Sequence, residues 1–220
     1  MRKSILSVLL MFVAVMAHGQ WRLGASGGGD YNFYSIDRHY QSDYHYKGVW
    51  GGTAAIFTQY NFFDWLGVRA EIEMVQKNHL FYRTLNFAGT HYTTSNTYLQ
   101  LPIMTQFSFG GEKVRGFIHA GVYAGYWVYG YQKGTVTNTQ SYNTYPVDEP
   151  YSFYGPRDER WDFGLAGGIG IEYRFLEHWE LHAEGRCYYS FISTTHQSSV
   201  IKDYRYNTPV AIQAGFAYIF

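Results

Sequence analysis

From residue 21 to the end of the chain, apolar and polar side chains alternate over long stretches. Leu66, Val68, Ala70, Ile72 and Met74 are separated by Gly67, Arg69, Glu71 and Glu73. The same period of two runs through 99–109, 118–128, 161–175, 179–191 and 210–220. Successive side chains of a strand point to opposite faces, so this period predicts strands. Two weaker stretches precede these six. In 21–30, Trp21, Leu23 and Ala25 share a face, and 49–60 is rich in small residues. No comparable stretch has helical periodicity. Eight consecutive strands expose two edges unless the sheet closes on itself, and closure into a barrel removes both.

The polar faces indicate which side of the barrel meets which medium. Arg69, Glu71, Glu73, His119, Asp162, Glu172, Arg174, Glu180, His182, Glu184 and Arg186 all lie on them. Gly121, Gly125, Gly164, Gly168, Gly170 and Gly215 lie there too, and small residues suit a crowded interior. The apolar faces begin and end in rings, as with Trp161 and Phe175, or Trp179 and Phe191. Aromatic girdles at both interfaces mark a barrel that faces lipid. Connections alternate in length. Segments 31–48, 77–96, 131–160 and 192–207 are long, whereas 61–65, 109–113 and 175–179 are tight. The reading is an all-β, eight-stranded antiparallel up-and-down transmembrane barrel with short periplasmic turns and long extracellular loops. The eleven charged and histidine residues above then form a polar network inside it, where charges must pair. The alternative is a soluble periplasmic lipocalin-like barrel, with the apolar faces inside around an apolar ligand.

The first 19 residues read differently. Arg2 and Lys3 precede a mostly apolar run, Ile5–Ala17, and Ala17 and Gly19 are spaced as at a signal-peptidase site. We expect 1–19 to be a cleaved signal peptide and 20–220 to be the barrel domain. Cleavage would remove Arg2 and Lys3, taking 17 basic residues to 15 against 17 acidic. The cell outer membrane is the expected location.

Composition fits this picture. Aromatics make up 20% of the chain and charged residues only 15%, yet mean hydropathy is slightly negative at −0.28. Disordered chains lack aromatics, one Cys excludes a disulfide scaffold, and a formal charge of zero argues against nucleic-acid binding. An apolar lipid face around a charged, glycine-rich interior gives these values.

Several stretches resemble the Bacteroidota outer-membrane β-barrel family of PorT-like barrels. They are LGVRAEIEMVQK (66–77), TYLQLPIMTQF (97–107), GFIHAGVYAGYWV (116–128), DFGLAGGIGIEYRF (162–175), ELHAEGRCYYSF (180–191) and VAIQAGFAYIF (210–220). The resemblance implies the fold and the location and assigns no chemistry. It also implies a local bulge at Pro102. It makes the terminal rings Phe216, Tyr218 and Phe220 part of a signal for the outer-membrane assembly machinery.

The long connections hold the remaining rings. Tyr34, Tyr40, Tyr44, Tyr46, Tyr145, Tyr151 and Tyr154 form a candidate recognition surface for a glycan or protein partner, since tyrosines give contact area with a polar tip at low entropic cost. The competing reading is that strands extend past the membrane and these rings pack on one another, or sit among lipopolysaccharide headgroups. Chemistry is hard to find. His182, Glu184 and Ser190 share a face, but Ser190 lies eight residues from His182, about 26 Å along a strand. His196 beside Ser193, Thr194 and Thr195 is a loose cluster. An outer-membrane lipid-modifying hydrolase is therefore only an alternative, and no catalytic residue is assigned. His39 and His45 near Asp37 and Asp43 make a weak metal pattern without Cys. No metal or cofactor is expected. The expected role is non-enzymatic, in a monomer surrounded by outer-membrane lipid and lipopolysaccharide.

Overall fold

The computed structural model describes residues 20–38, 43–196 and 203–220. The proposed signal peptide and Tyr40 lie outside the described residues. Among the described residues there are eleven strands: β1 (Gln20–Arg38), β2 (Tyr44–Gly48), β3 (Trp50–Phe63), β4 (Leu66–Gln76), β5 (His79–Arg83), β6 (His91–Gly110), β7 (Val114–Thr137), β8 (Thr144–Pro150), β9 (Trp161–Arg174), β10 (Trp179–Ser190) and β11 (Asp203–Ile219). Eight of them close a ring in the order β1, β3, β4, β6, β7, β9, β10, β11, with β11 returning antiparallel to β1. β2, β5 and β8 pair above this ring, on the side of the long connections.

The apolar faces point outward. Ile212 is 71% exposed and Ile169 62%, while Arg186, Glu73 and Gln100 opposite them are sealed from solvent. This overturns the soluble lipocalin-like alternative, which needs the reverse arrangement. The outward belt is bounded by rings. Tyr31 and Trp50 (5.4 Å) and Tyr126 and Trp161 (4.9 Å) pair at the loop end, and Trp21 with Tyr60 (4.9 Å) and Trp179 with Tyr218 (5.3 Å) pair at the turn end. Phe216 and Phe220 extend the turn-end girdle and face outward. Cys187 is also exposed on this face.

Two sequence expectations need correction. The long connections are largely strand. β1 continues to Arg38, β7 to Thr137, and β2, β5 and β8 lie wholly within segments read as loops. Above the membrane both faces meet water or neighbouring rings, so the apolar–polar alternation that reveals a lipid-facing strand is lost. At Pro102 there is no bulge. The β4–β6 offset is the same at Ala70–Ile103 and Glu73–Gln100, on either side of it. Pro102 lacks an N–H, so the ladder is interrupted there without an inserted residue. The register shift in β6 falls instead at Thr97/Tyr98, against β7.

Interior glycines accommodate rings from the adjacent strand. Phe117 lies opposite Gly170, His119 opposite Gly168 and Tyr123 opposite Gly164. His182 lies opposite Gly215 and Phe57 opposite Gly24. A Cβ on Gly215 would fall 2.7 Å from His182 Cε1, and one on Gly164 2.8 Å from Tyr123 Cε1. Any larger residue would displace the ring.

Candidate functional site

Two regions concentrate polar chemistry: the sealed interior and an open cup above it. In the interior, the inward positions of eight strands place acids and bases at successive heights. Nearest the turns, Arg22 Nη1 lies 3.0 Å from both Glu172 Oε2 and Glu180 Oε1, and Gln106 donates to Glu172 at 2.6 Å. At mid-height Arg186 donates to both oxygens of Glu71 and also to Glu184. Arg69 sits 2.6 Å from Glu71 and 3.5 Å from Glu184, with its guanidinium 3.7 Å above the Phe57 ring. Above these, Glu73 accepts from Tyr188, Gln100, Gln213 and Thr53 at 2.5 to 2.8 Å. Highest of all, Lys77 Nζ donates to Asp162 at 2.6 Å, and Tyr123 and Ser190 donate to its other oxygen.

Of the eleven interior residues named from sequence, the structure buries ten. Arg174 is the exception. It is half-buried beside the turns and lines the turn-end mouth with Arg115 and Lys113. Its position follows from its place at the last residue of β9, where the barrel opens. Sequence reasoning missed Arg22 and Lys77. Arg22 was visible as the polar residue between Trp21 and Leu23. Lys77 follows the last residue of β4 and continues the phase of Arg69, Glu71 and Glu73, but the apolar Val75 interrupts that polar face just before it. The loose His182–Ser190 cluster does not assemble. Ser190 is bound to Asp162, and His182 stands edge-on to Phe57 at 5.3 Å.

The cup opens at the loop end and has a volume of about 630 Å³. Its floor is Tyr98 stacked on Trp127 (5.9 Å, 11°), with Tyr151 and Phe153 packed on the indole at 4.9 and 4.8 Å. Trp127 is an inward residue of β7, detectable as a large ring on that strand's polar face. Tyr34 stacks flat on His79 at 4.2 Å, and Tyr46 lies between Tyr34 and Phe81. Tyr34, Tyr44, Tyr46 and Tyr151 therefore converge on one cavity, whereas Tyr145 and Tyr154 stay exposed away from it. Sequence did not reveal the arginines of the cup, because they come from three separated segments.

Two of those arginines are held by carboxylates. Arg83 grips Asp43 with Nε and Nη2 at 2.9 and 3.1 Å. Arg157 grips Asp158 with the same two nitrogens at 2.7 and 3.0 Å and also donates to the Tyr151 hydroxyl at 2.6 Å. The bridge between Asp158 and Thr195, with the Thr194 N–H donating to the Arg205 carbonyl, ties this wall to β11. Burial alone would raise the Asp158 carboxyl. Hydrogen bonds from Arg157, the Tyr154 N–H and Tyr151 hold it below the usual carboxylate range. Just beyond the outer girdle, burial, aided by the charge of Arg205, pushes His79 down to about 3. It is a neutral ring at physiological pH. No cluster of metal-ligating side chains occurs among the described residues.

A family model described as outer membrane protein beta-barrel domain matches residues 14–196. Among solved structures, the outer membrane protein OprG of Pseudomonas aeruginosa is 17% identical, with a TM-score of 0.50. The match covers 90% of this chain and 95% of that one. Ail, the attachment invasion locus protein of Yersinia pestis, is 11% identical with a TM-score of 0.49, over 92% of this chain and 99% of that one. No curated protein sequence matches the chain.

Proposed function

The chain belongs to the outer membrane protein beta-barrel domain family, and from that membership we propose that it is a surface-recognition barrel without enzymatic activity, reading its ligand in the loop-end cup. The fold and the outer-membrane location are established by the family and the architecture. The recognition role is our reading. The observation that carries it is the convergence of Tyr34, Tyr44, Tyr46 and Tyr151, from three separate segments, on one open cavity. At about 630 Å³ the cup falls in the size range of small-molecule sites. The interior below is filled by buried side chains, so a solute entering from outside meets a floor. This supports binding rather than passage.

The proposal includes export by a signal cleaved before Gln20, insertion through the assembly machinery reading Phe216, Tyr218 and Phe220, and a monomer bathed in lipid and lipopolysaccharide. It also keeps the PorT-like, Bacteroidota affinity suggested by the sequence. The test is binding of purified, folded protein to arrays of glycans and of proteins. Wild type should bind a defined subset, and Tyr46→Ala with Tyr151→Ala should lose it while keeping heat-modifiable migration on gels. Equal binding by wild type and the double variant would overturn the reading. The mass of the mature N-terminus checks the cleavage.

A further inference from the structure

We propose that the cup takes an uncharged saccharide, entering from outside the cell as a free oligosaccharide or as the end of a glycan chain. This rests on the recognition reading above and names its ligand class. The chemistry of the lining favours such a ligand over its competitors.

An ionic ligand would find the arginines of the lining and Asp158 already engaged, Arg205 lying over the Tyr46 ring at 5.0 Å, which leaves the exposed Glu149 among the charged residues of the cup. Arg83 is closed on Asp43 by two hydrogen bonds. Asp158 accepts four hydrogen bonds, from Arg157 twice, the Tyr151 hydroxyl and the Tyr154 N–H, which fills its carboxylate. The buried imidazole of the wall, His79, is neutral and stacked on Tyr34. A purely apolar ligand fits no better. Gln132, Thr139, Ser152, Thr194 and Thr195 line the same cavity and reach solvent, and an apolar surface would strip water from these groups and give nothing back. A folded protein loop is too bulky for a cavity of this size, although a peptide tip is not.

A sugar ring combines the two properties the lining asks for. Its hydroxyls donate and accept, matching threonine, serine and amide groups. Its axial C–H faces are flat and apolar, matching the rings of Tyr46 and Tyr151. Tyrosine supplies such a face with a polar tip and few rotatable bonds to freeze. Arginines fixed by carboxylates add preorganised N–H groups that need no reorganisation on binding. The extended walls from β2, β5 and β8 raise the opening above the outer girdle, towards the outside medium rather than the surrounding lipid.

The experiment is calorimetric titration of the folded protein in lipid nanodiscs. The probes are a panel of neutral oligosaccharides, a galacturonate trisaccharide, a tetra-alanine peptide and purified lipopolysaccharide. The expected result is binding of at least one neutral oligosaccharide, with an affinity insensitive to salt and at least about tenfold above that for the galacturonate. Tyr151→Ala should weaken it about tenfold or more. Tyr151→Phe, which keeps the ring, should weaken it less, and Tyr145→Ala, outside the cup, not at all. Preferential binding of galacturonate, peptide or lipopolysaccharide that falls with Tyr151→Ala would overturn the neutral-sugar assignment and leave the recognition reading standing. No binding of any probe would overturn both.

Discussion

The guanidinium of Arg186 donates to both carboxylate oxygens of Glu71, Nη1 at 2.6 Å and Nη2 at 2.9 Å, across the barrel from β10 to β4. Neither side chain reaches solvent. Two strands that are not neighbours in the sheet are thereby joined through the interior. With Glu184 and Arg69 beside them, these residues replace the apolar core of a soluble barrel.

Truncating Arg186 should therefore cost more than truncating a surface charge. Arg186→Met leaves Glu71 and Glu184 sharing Arg69 alone in a sealed interior, and removing one partner of such a buried pair costs about 3–5 kcal/mol. Urea unfolding in lipid vesicles, followed by heat-modifiable migration, measures it. The double variant Arg186→Met/Glu184→Met should recover part of the loss. An unchanged midpoint for Arg186→Met would show that the cluster contributes only volume.

Glycines of the two faces should respond oppositely to alanine. A Cβ on Gly168 would overlap the His119 ring and fall 2.6 Å from the Gly185 carbonyl, whereas one on Gly185 meets nothing within 4 Å. Gly168→Ala should lose about 1–3 kcal/mol by overpacking. Gly185→Ala, facing lipid, should be neutral or slightly stabilising. Equal effects of the two substitutions in the same unfolding assay would contradict the packing described.

Depth in the membrane should be readable from one side chain. Ile169 is outward-facing, between the girdle residues Trp161 and Tyr173 of β9. Ile169→Arg should destabilise by about 2–4 kcal/mol, the cost of arginine near the bilayer midplane. Tyr145→Arg, on β8 beyond the girdle, should cost little. Vesicle insertion yields and unfolding midpoints of both variants check the assigned belt.

His79 predicts a pH dependence with a definite sign. Its folded-state pKa, about 3, lies below the ordinary value of 6.5. Between these values the unfolded chain takes up a proton that the folded chain refuses. Stability present above pH 6.5 is therefore lost as pH falls towards 3. His79→Gln should flatten this part of the curve. Unfolding midpoints of wild type and variant at pH 7.5 and 4.5 isolate the difference, because the other groups titrate in both proteins.

The eight membrane strands were legible in the sequence because each of their faces meets one uniform medium. Ile118, Ala120 and Val122 face lipid while His119, Gly121 and Tyr123 face the interior, and the alternation records that contrast directly. β2, β5 and β8 were not legible, since β2 and β5 have only five residues each and along Thr144–Pro150 the two faces differ little in polarity. The cup followed the same rule. Its tyrosines were conspicuous in composition, but the convergence of Tyr34, Tyr46 and Tyr151 depends on pairings between distant segments that no local pattern encodes. Trp127 is the one local hint of the cup floor, because a tryptophan on a polar face needs a reason to be there.

The rings seated on glycines also calibrate the strands against one another. Alternation distinguishes odd from even slips only, since a shift of two residues returns every side chain to its own face. The β7–β9 pair resolves that ambiguity. In the observed alignment Phe117, His119 and Tyr123 meet Gly170, Gly168 and Gly164. Sliding two residues one way would drive His119 into Ala166 and Tyr123 into Asp162. Sliding two the other way would drive Phe117 into Glu172 and Tyr123 into Ala166. Each wrong offset meets at least two collisions, so the spacing of three glycines sets the β7–β9 stagger, one contribution to the shear of the barrel that hydrophobic patterning cannot specify.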